Sequence, residues 1–189
     1  MSANLNATPS ANRTHIALYG RRNAGKSSLI NAITGQQIAL VSSVAGTTTD
    51  PVSKAMEVPG LGPCIFWDTA GFDDVGELGE LRVQKTLQTI EKADLALLVF
   101  SGELSELSLE IEWLEKLRAR KLPILAVINK TDQFPSELLA EQIRKQLNLE
   151  PFQVSAEQGD GIPELIRALS RALPAESGAE TITGKLVQP

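Results

Sequence analysis

The chain has 189 residues, 42 % of them hydrophobic and 22 % charged, the proportions of one ordinary α/β domain with a buried core. Its 18 Lys and Arg against 23 Asp and Glu leave a net charge of −5 without any basic block, which argues against nucleic acid or an anionic membrane as the main partner. A single cysteine, Cys64, can form no internal disulfide and cannot alone hold zinc or an iron–sulfur cluster, which suits a reducing cytoplasm, and no apolar run approaches the about 18 residues of a membrane span.

Residues 1–13, rich in Ser, Asn and Ala, read as a flexible N-terminus without the basic start and apolar stretch of a secretory signal. His15 to Tyr19 is a short apolar strand running into Gly20, and Lys26 to Thr34 is a helix with Leu29, Ile30 and Ile33 at helical spacing. Further strands are expected at Val52–Val58, Cys64–Trp67, Leu95–Phe100, Ile124–Ile128 and Phe152–Val154. Helices are expected at Leu78–Glu91, Leu104–Arg118, Ser136–Leu147 and Ile162–Leu173, each with an apolar residue every three or four positions. The third, fifth and sixth strands are nearly all apolar, as in a sheet covered on both faces. The alternation predicts a three-layer α/β fold over residues 14–173, its six-stranded sheet mostly parallel, with ligands bound beyond the carboxyl ends of the strands. Residues 174–189 read as a linker towards a missing C-terminal region.

Four motifs fall on those carboxyl ends. Gly20-Arg21-Arg22-Asn23-Ala24-Gly25-Lys26-Ser27 matches the phosphate-binding loop G-x-x-x-x-G-K-[ST] between a strand and a helix. In such a loop the backbone amides, from Asn23 through Ser28, face the phosphates, Lys26 reaches the β- and γ-phosphates, and Ser27 offers its hydroxyl to magnesium. Asp68-Thr69-Ala70-Gly71 ends the third strand, where Asp68 can hold a magnesium-bound water and the Gly71 amide can meet the γ-phosphate. Asn129-Lys130-Thr131-Asp132 distinguishes guanine from adenine, because the Asp132 carboxylate accepts two hydrogen bonds that only guanine can donate. Lys130 can lay its methylene stem along the base, Asn129 can tie this loop to the phosphate loop, and Ser155-Ala156 can turn backbone N–H groups towards the guanine keto oxygen. In Gly46-Thr47-Thr48-Thr49-Asp50, Thr48 is the candidate to complete the magnesium shell once a γ-phosphate is present, although three threonines also suit a strand edge. Together the motifs describe a P-loop GTPase of Ras-like fold that converts GTP to GDP and phosphate with magnesium, Lys26, Thr48, Gly71 and Asn23 serving the reaction.

Phe72 follows Gly71, so the usual water-orienting glutamine is missing; Glu77 or Glu80 is the candidate to take its place. Asn23 before Ala24-Gly25-Lys26-Ser27, with Gly46-Thr47-Thr48, resembles the TrmE-Era-EngA branch of GTPases, several of which are potassium-activated. The resemblance implies a potassium ion held by Asn23 and by carbonyls at Ser42 and Val44, neutralising charge as an arginine finger would; Arg21 or Arg22 as a finger in cis is the alternative. Longer stretches, Gly20 to Ala32, Val44 to Val52, Lys54-Ala55-Met56-Glu57 and Gly76 to Val83, resemble the GTPase domain of the HydF family of FeFe-hydrogenase maturation factors. That resemblance covers Thr14 to Leu173, and Ile182 to Val187 is similar to the entry of the family's dimerisation domain. It implies a cytoplasmic metallocofactor-assembly GTPase, an iron–sulfur cluster carried outside this chain, HydE, HydG and the hydrogenase as partners of the full-length protein, a possible homodimer, and no nucleic acid or membrane. An RNA- or ribosome-associated GTPase of the same branch is the alternative. Cys64 reads as core filler, His15 has no ligand set around it, and Glu77 to Arg82 is a candidate switch. The acids from Glu103 to Glu115 read as the solvated face of the helix that carries Trp113.

Overall fold

The computed structural model describes residues 13–35, 51–58 and 60–173. Ser42, Val44, the Gly46 to Asp50 motif with Thr48, and the two terminal segments lie outside the described residues. The elements run β1 (Thr14–Gly20), α1 (Lys26–Thr34), β2 (Val52–Val58), β3 (Gly62–Asp68), α2 (Gly76–Ile90), β4 (Leu95–Ser101), α3 (Ser108–Ala119), β5 (Ile124–Asn129), α4 (Glu137–Leu147), β6 (Phe152–Gln153) and α5 (Ile162–Ala172). A single 3₁₀ turn, Arg22–Ala24, sits between β1 and α1.

The strands form one sheet in the order β2-β3-β1-β4-β5-β6. Only β2 runs antiparallel to its neighbour; β3, β1, β4, β5 and β6 are mutually parallel. The period of two along a strand explains why the central strands carry almost no polar residues. From β1, Ile16 and Leu18 enter one core with Leu29, Ile30 and Ile33 of α1 and Leu165 and Leu169 of α5. Ala17 and Tyr19 enter the other, with Ile90 of α2, Trp113 and Leu117 of α3 and Ile143 of α4. β4 divides in the same way and is buried along its whole length. Each fully buried Leu or Ile contributes roughly 1.5–3 kcal/mol, so a strand sandwiched by helices is held from both sides and its carboxyl end is a rigid base for a loop.

The boundary furthest from the sequence expectation is the start of α3. α3 begins at Ser108 rather than Leu104, because the Glu106 carboxylate accepts the Ser108 amide (2.9 Å) and hydroxyl and also binds Arg21, which holds the preceding segment out of the helix. The acidic face assigned to this helix is also not wholly solvated, since Glu110 is only 1 % exposed. Cys64 lies fully in the core and burial pushes its thiol up to about 11, while the His15 ring accepts a hydrogen bond from Trp67 Nε1 (3.1 Å). Among the described residues no helix is long and apolar enough to cross a membrane.

Candidate functional site

Because β1, β3, β4, β5 and β6 are parallel, the loops that follow them emerge on one edge of the sheet. The loop after β1 leaves Arg21 extended, makes the 3₁₀ turn, and enters α1 through Gly25 at φ 83°. That left-handed conformation excludes most side chains, and a Cβ on Gly25 would also lie 2.5 Å from Asn129 Nδ2. The curl brings Lys26 back over its own loop: its Nζ donates to the carbonyls of Gly20 (3.1 Å) and Arg21 (2.9 Å), and the residue is 5 % exposed. Burial lowers the Lys26 pKa, and the carboxylates of Asp68, Asp73 and Asp74 oppose that shift. An ammonium held in this way can exchange carbonyl partners for phosphate oxygens.

Ser27 Oγ donates to Asp68 Oδ2, joining the first turn of α1 to the end of β3. Burial raises the Asp68 pKa against the Ser27 hydrogen bond and the charges of Lys26 and Lys54. Hydroxyl and carboxylate oxygens are the donors that magnesium accepts, and among the described residues no cluster of three or more His, Cys, Asp or Glu could hold a metal. A hard cation at Ser27 and Asp68 would therefore complete its shell with phosphate and water oxygens.

The guanine-selective motif joins the same edge through one buried side chain. Asn129 Nδ2 donates to Ala24 O (3.0 Å), and Asn129 Oδ1 accepts the Ala156 amide (3.0 Å), so a single residue binds the phosphate loop to the loop after β6. Asp132 Oδ1 accepts from Ser155 Oγ (2.8 Å), and that hydroxyl also accepts the Gln158 amide (3.0 Å). Of the two amides expected to face guanine, Ser155 N donates to Asp160 O (3.0 Å) and Ala156 N to Asn129. Lys130 adopts φ 65°, which turns the chain so that Gly25, Ser28, Asn129, Lys130, Asp132 and Ala156 line one narrow cleft. Asn23 lies apart from it, in a neighbouring hollow of about 510 Å³ with Arg21, Arg22, Asp73 and Leu104.

Gly71 packs directly on the phosphate loop, where a Cβ would meet Arg22 N at 2.4 Å, and the Phe72 amide donates to Gly20 O (3.2 Å). Phe72 itself is core: its ring stacks on Trp113 at 5.2 Å between centroids. Glu77 and Glu80 are exposed on the first turns of α2.

Three pairings were not anticipated. Arg21 is held by Glu110 and Glu106, so it points to α3 rather than across the phosphates as a finger in cis would. Arg22 is spread towards Asp73 and Asp74. Asn23 Nδ2 donates to Glu103 Oε1, leaving the amide oxygen as its remaining acceptor. One sequence signal for the first pairing existed: Glu110, Trp113, Leu114 and Leu117 fall at i, i+3, i+4 and i+7, which puts a carboxylate on the apolar stripe of α3.

A family described as 50S ribosome-binding GTPase matches residues 15–130. The tRNA modification GTPase MnmE of Paraburkholderia xenovorans is 33 % identical over 168 residues, covering 88 % of this chain and 36 % of that protein. Its counterpart from Chromobacterium violaceum is 35 % identical over the same length and coverage. This chain thus spans about a third of the length of the curated relatives it matches. Among solved structures, Era in complex with MgGDPNP and nucleotides 1506–1542 of 16S ribosomal RNA superposes with a TM-score of 0.72 at 28 % identity, covering 93 % of this chain and 59 % of that one. An Aquifex aeolicus Era variant bound to GDP and AlF4⁻ gives 0.70 at 28 % identity, covering 85 % and 57 %. A relative solved with RNA removes the ground for excluding nucleic acid on net charge.

Proposed function

We propose, from the premise that this chain belongs to the 50S ribosome-binding GTPase family and is a GTP-hydrolysing enzyme of the TrmE-Era-EngA type, that it works as a magnesium-dependent, potassium-stimulated switch. The observation that carries the reading is the Asn129 bridge, because it ties the guanine-selective loops directly to the phosphate loop. In this reading Lys26 and the amides from Asn23 to Ser28 hold the phosphates, Asp132 selects guanine with Lys130, Ser155 and Ala156 around the base, and Gly71 presents its amide to the γ-phosphate. Ser27 and Asp68, with Thr48, hold magnesium, which supplies charge neutralisation at the phosphates.

Hydrolysis needs a group that Phe72 cannot provide, since its ring is buried against Trp113. With Arg21 tied to α3 and Arg22 spread towards Asp73 and Asp74, neither arginine of the phosphate loop reaches across, which favours Asn23 with the carbonyls of Ser42 and Val44 as a potassium site. Turnover at saturating GTP is expected to be higher in potassium than in sodium, and Asn23→Ala is expected to erase that difference while keeping magnesium-dependent GDP binding. Equal rates in the two salts would end the potassium reading and leave the nucleotide site untouched.

For the whole protein, an RNA- or ribosome-associated role is favoured, because MnmE is a tRNA modification GTPase and the Era structure holds 16S ribosomal RNA. Maturation of a hydrogenase metallocofactor in the cytoplasm, by a dimer working with HydE and HydG, is the second reading. It rests on the HydF-like stretches Val44 to Val52 and Gly76 to Val83. RNA that co-purifies at low salt and is released at high salt supports the first; an RNA-free protein that restores hydrogenase assembly supports the second.

A further inference from the structure

We infer that Glu110, buried on α3, is a positioning residue for the phosphate loop, acting through Arg21. The pair is built as a clamp. Arg21 Nε donates to Glu110 Oε1 (2.9 Å) and Oε2 (3.2 Å), and Nη2 donates to Oε1 (2.8 Å). Glu106, at the entrance to α3, takes a second hydrogen bond from Nη2. The side chain is thereby fixed on the α3 side of the loop, while the backbone of the same residue serves the loop itself. Arg21 O accepts Lys26 Nζ (2.9 Å) and the Ala24 amide (3.1 Å). Anchoring one end of Arg21 places the carbonyl at the other.

A surface ion pair would carry little of this load, because solvent competes for both partners. Glu110 is 1 % exposed and Arg21 19 %, so an unpaired carboxylate at this depth would be costly and the fork geometry admits few alternatives. Burial raises the Glu110 pKa and Arg21 opposes it. One turn further along α3, Trp113 stacks on Phe72, whose amide donates to Gly20 O (3.2 Å), the other carbonyl that receives Lys26. α3 therefore holds both carbonyl partners of Lys26, one through Glu110 and one through Trp113.

The inference rests on the nucleotide-site reading, and the test separates the two. Glu110→Gln keeps shape and removes charge, Arg21→Gln removes the guanidinium, and the double variant combines the two; Arg21→Lys keeps charge and removes the fork. Fluorescent GDP affinity is measured at a temperature where each is folded, alongside thermal unfolding without nucleotide. Each Gln single variant is expected to bind GDP about tenfold more weakly, the double variant no worse than the weaker single, and Arg21→Lys in between. Parental GDP affinity in variants that only melt earlier would overturn the inference, as would losses that add in the double variant. Lys26→Ala with parental GDP affinity would instead overturn the nucleotide site itself.

Discussion

Replacing Asn129 by Ala tests the site at the point where its two halves meet. Asn129 is 2 % exposed and makes two good hydrogen bonds, to Ala24 O and from the Ala156 amide, each 3.0 Å, with a longer contact to Gly25 O at 3.5 Å. Truncation removes both bonds and leaves a carbonyl and an amide without their partner; at about 1–3 kcal/mol for each orphaned group the loss is about 2–6 kcal/mol. Against the about 5–15 kcal/mol of an ordinary domain that is a large fraction, visible as a lower urea midpoint at unchanged slope. GDP affinity should fall as well, because the loops must now be ordered by the ligand itself. Asn129→Asp sharpens the test: it keeps the acceptor for Ala156 but sets a carboxylate against the carbonyls of Ala24 and Gly25. GDP should then bind more weakly to Asn129→Asp than to Asn129→Ala, since the added charge lies beside the phosphate loop. An unfolding free energy within about 0.5 kcal/mol of the parent for Asn129→Ala, with unchanged GDP affinity, would refute the reasoning.

Asp132→Asn is expected to weaken GTP by at least about a hundredfold and to admit xanthosine triphosphate, because the amide cannot accept both guanine protons; competition binding against the two nucleotides reads this directly. Gly71→Ala drives a Cβ to 2.4 Å from Arg22 N, a backbone atom that cannot yield cheaply, so about 1–3 kcal/mol of stability should be lost and hydrolysis should slow more than GDP binding weakens. The raised Asp68 pKa has a sign that can be checked. From its ordinary value of 3.8 upward the nucleotide-free fold binds more protons at this group than the unfolded chain does, so its contribution to stability falls as pH rises through the folded pKa. Asp68→Asn should remove that slope in urea titrations, and in the parent magnesium-dependent nucleotide binding should strengthen over the same interval as the proton leaves.

What the sequence displayed and what it hid divide by range. The phosphate loop, the strand ends and the guanine-selective motif are local: glycines at fixed offsets, apolar runs and helical periodicity specify them within a few residues, and α1 and β2 have the bounds their patterns imply. The Asn129 bridge was legible because the motif places that amide at the carboxyl end of a buried strand. The Arg21 clamp was not, since its partners lie 85 and 89 residues away in the chain and meet it only through the β1–β4 pairing. Net charge was no guide to nucleic-acid partners for a similar reason, as an average of −5 says nothing about how charge is distributed over one face.

The burial of Phe72 bears on how such a site could change state. Its ring is fixed in the aromatic core and its amide is fixed on Gly20 O, so a rearrangement of the segment after β3 has to begin beyond it. The next two residues both meet Arg22: Asp73 Oδ1 accepts the Arg22 amide (2.8 Å), and Asp74 faces Arg22 Nη1 (3.5 Å) as well as Arg82 Nη1 (3.4 Å). Asp74 therefore ties the phosphate loop to α2, and Gly76 at φ 85° is the first unencumbered turn after it. A γ-phosphate drawing Arg22 or the loop amides towards itself would compete with those carboxylates, and their release would free α2 from Gly76 onward. Neutralising Asp74 alone, as Asn, should then lower the barrier to that release and raise the exchange of amide protons across the first turns of α2 in the GDP-bound protein. Unchanged exchange in Asp74→Asn would place the hinge elsewhere.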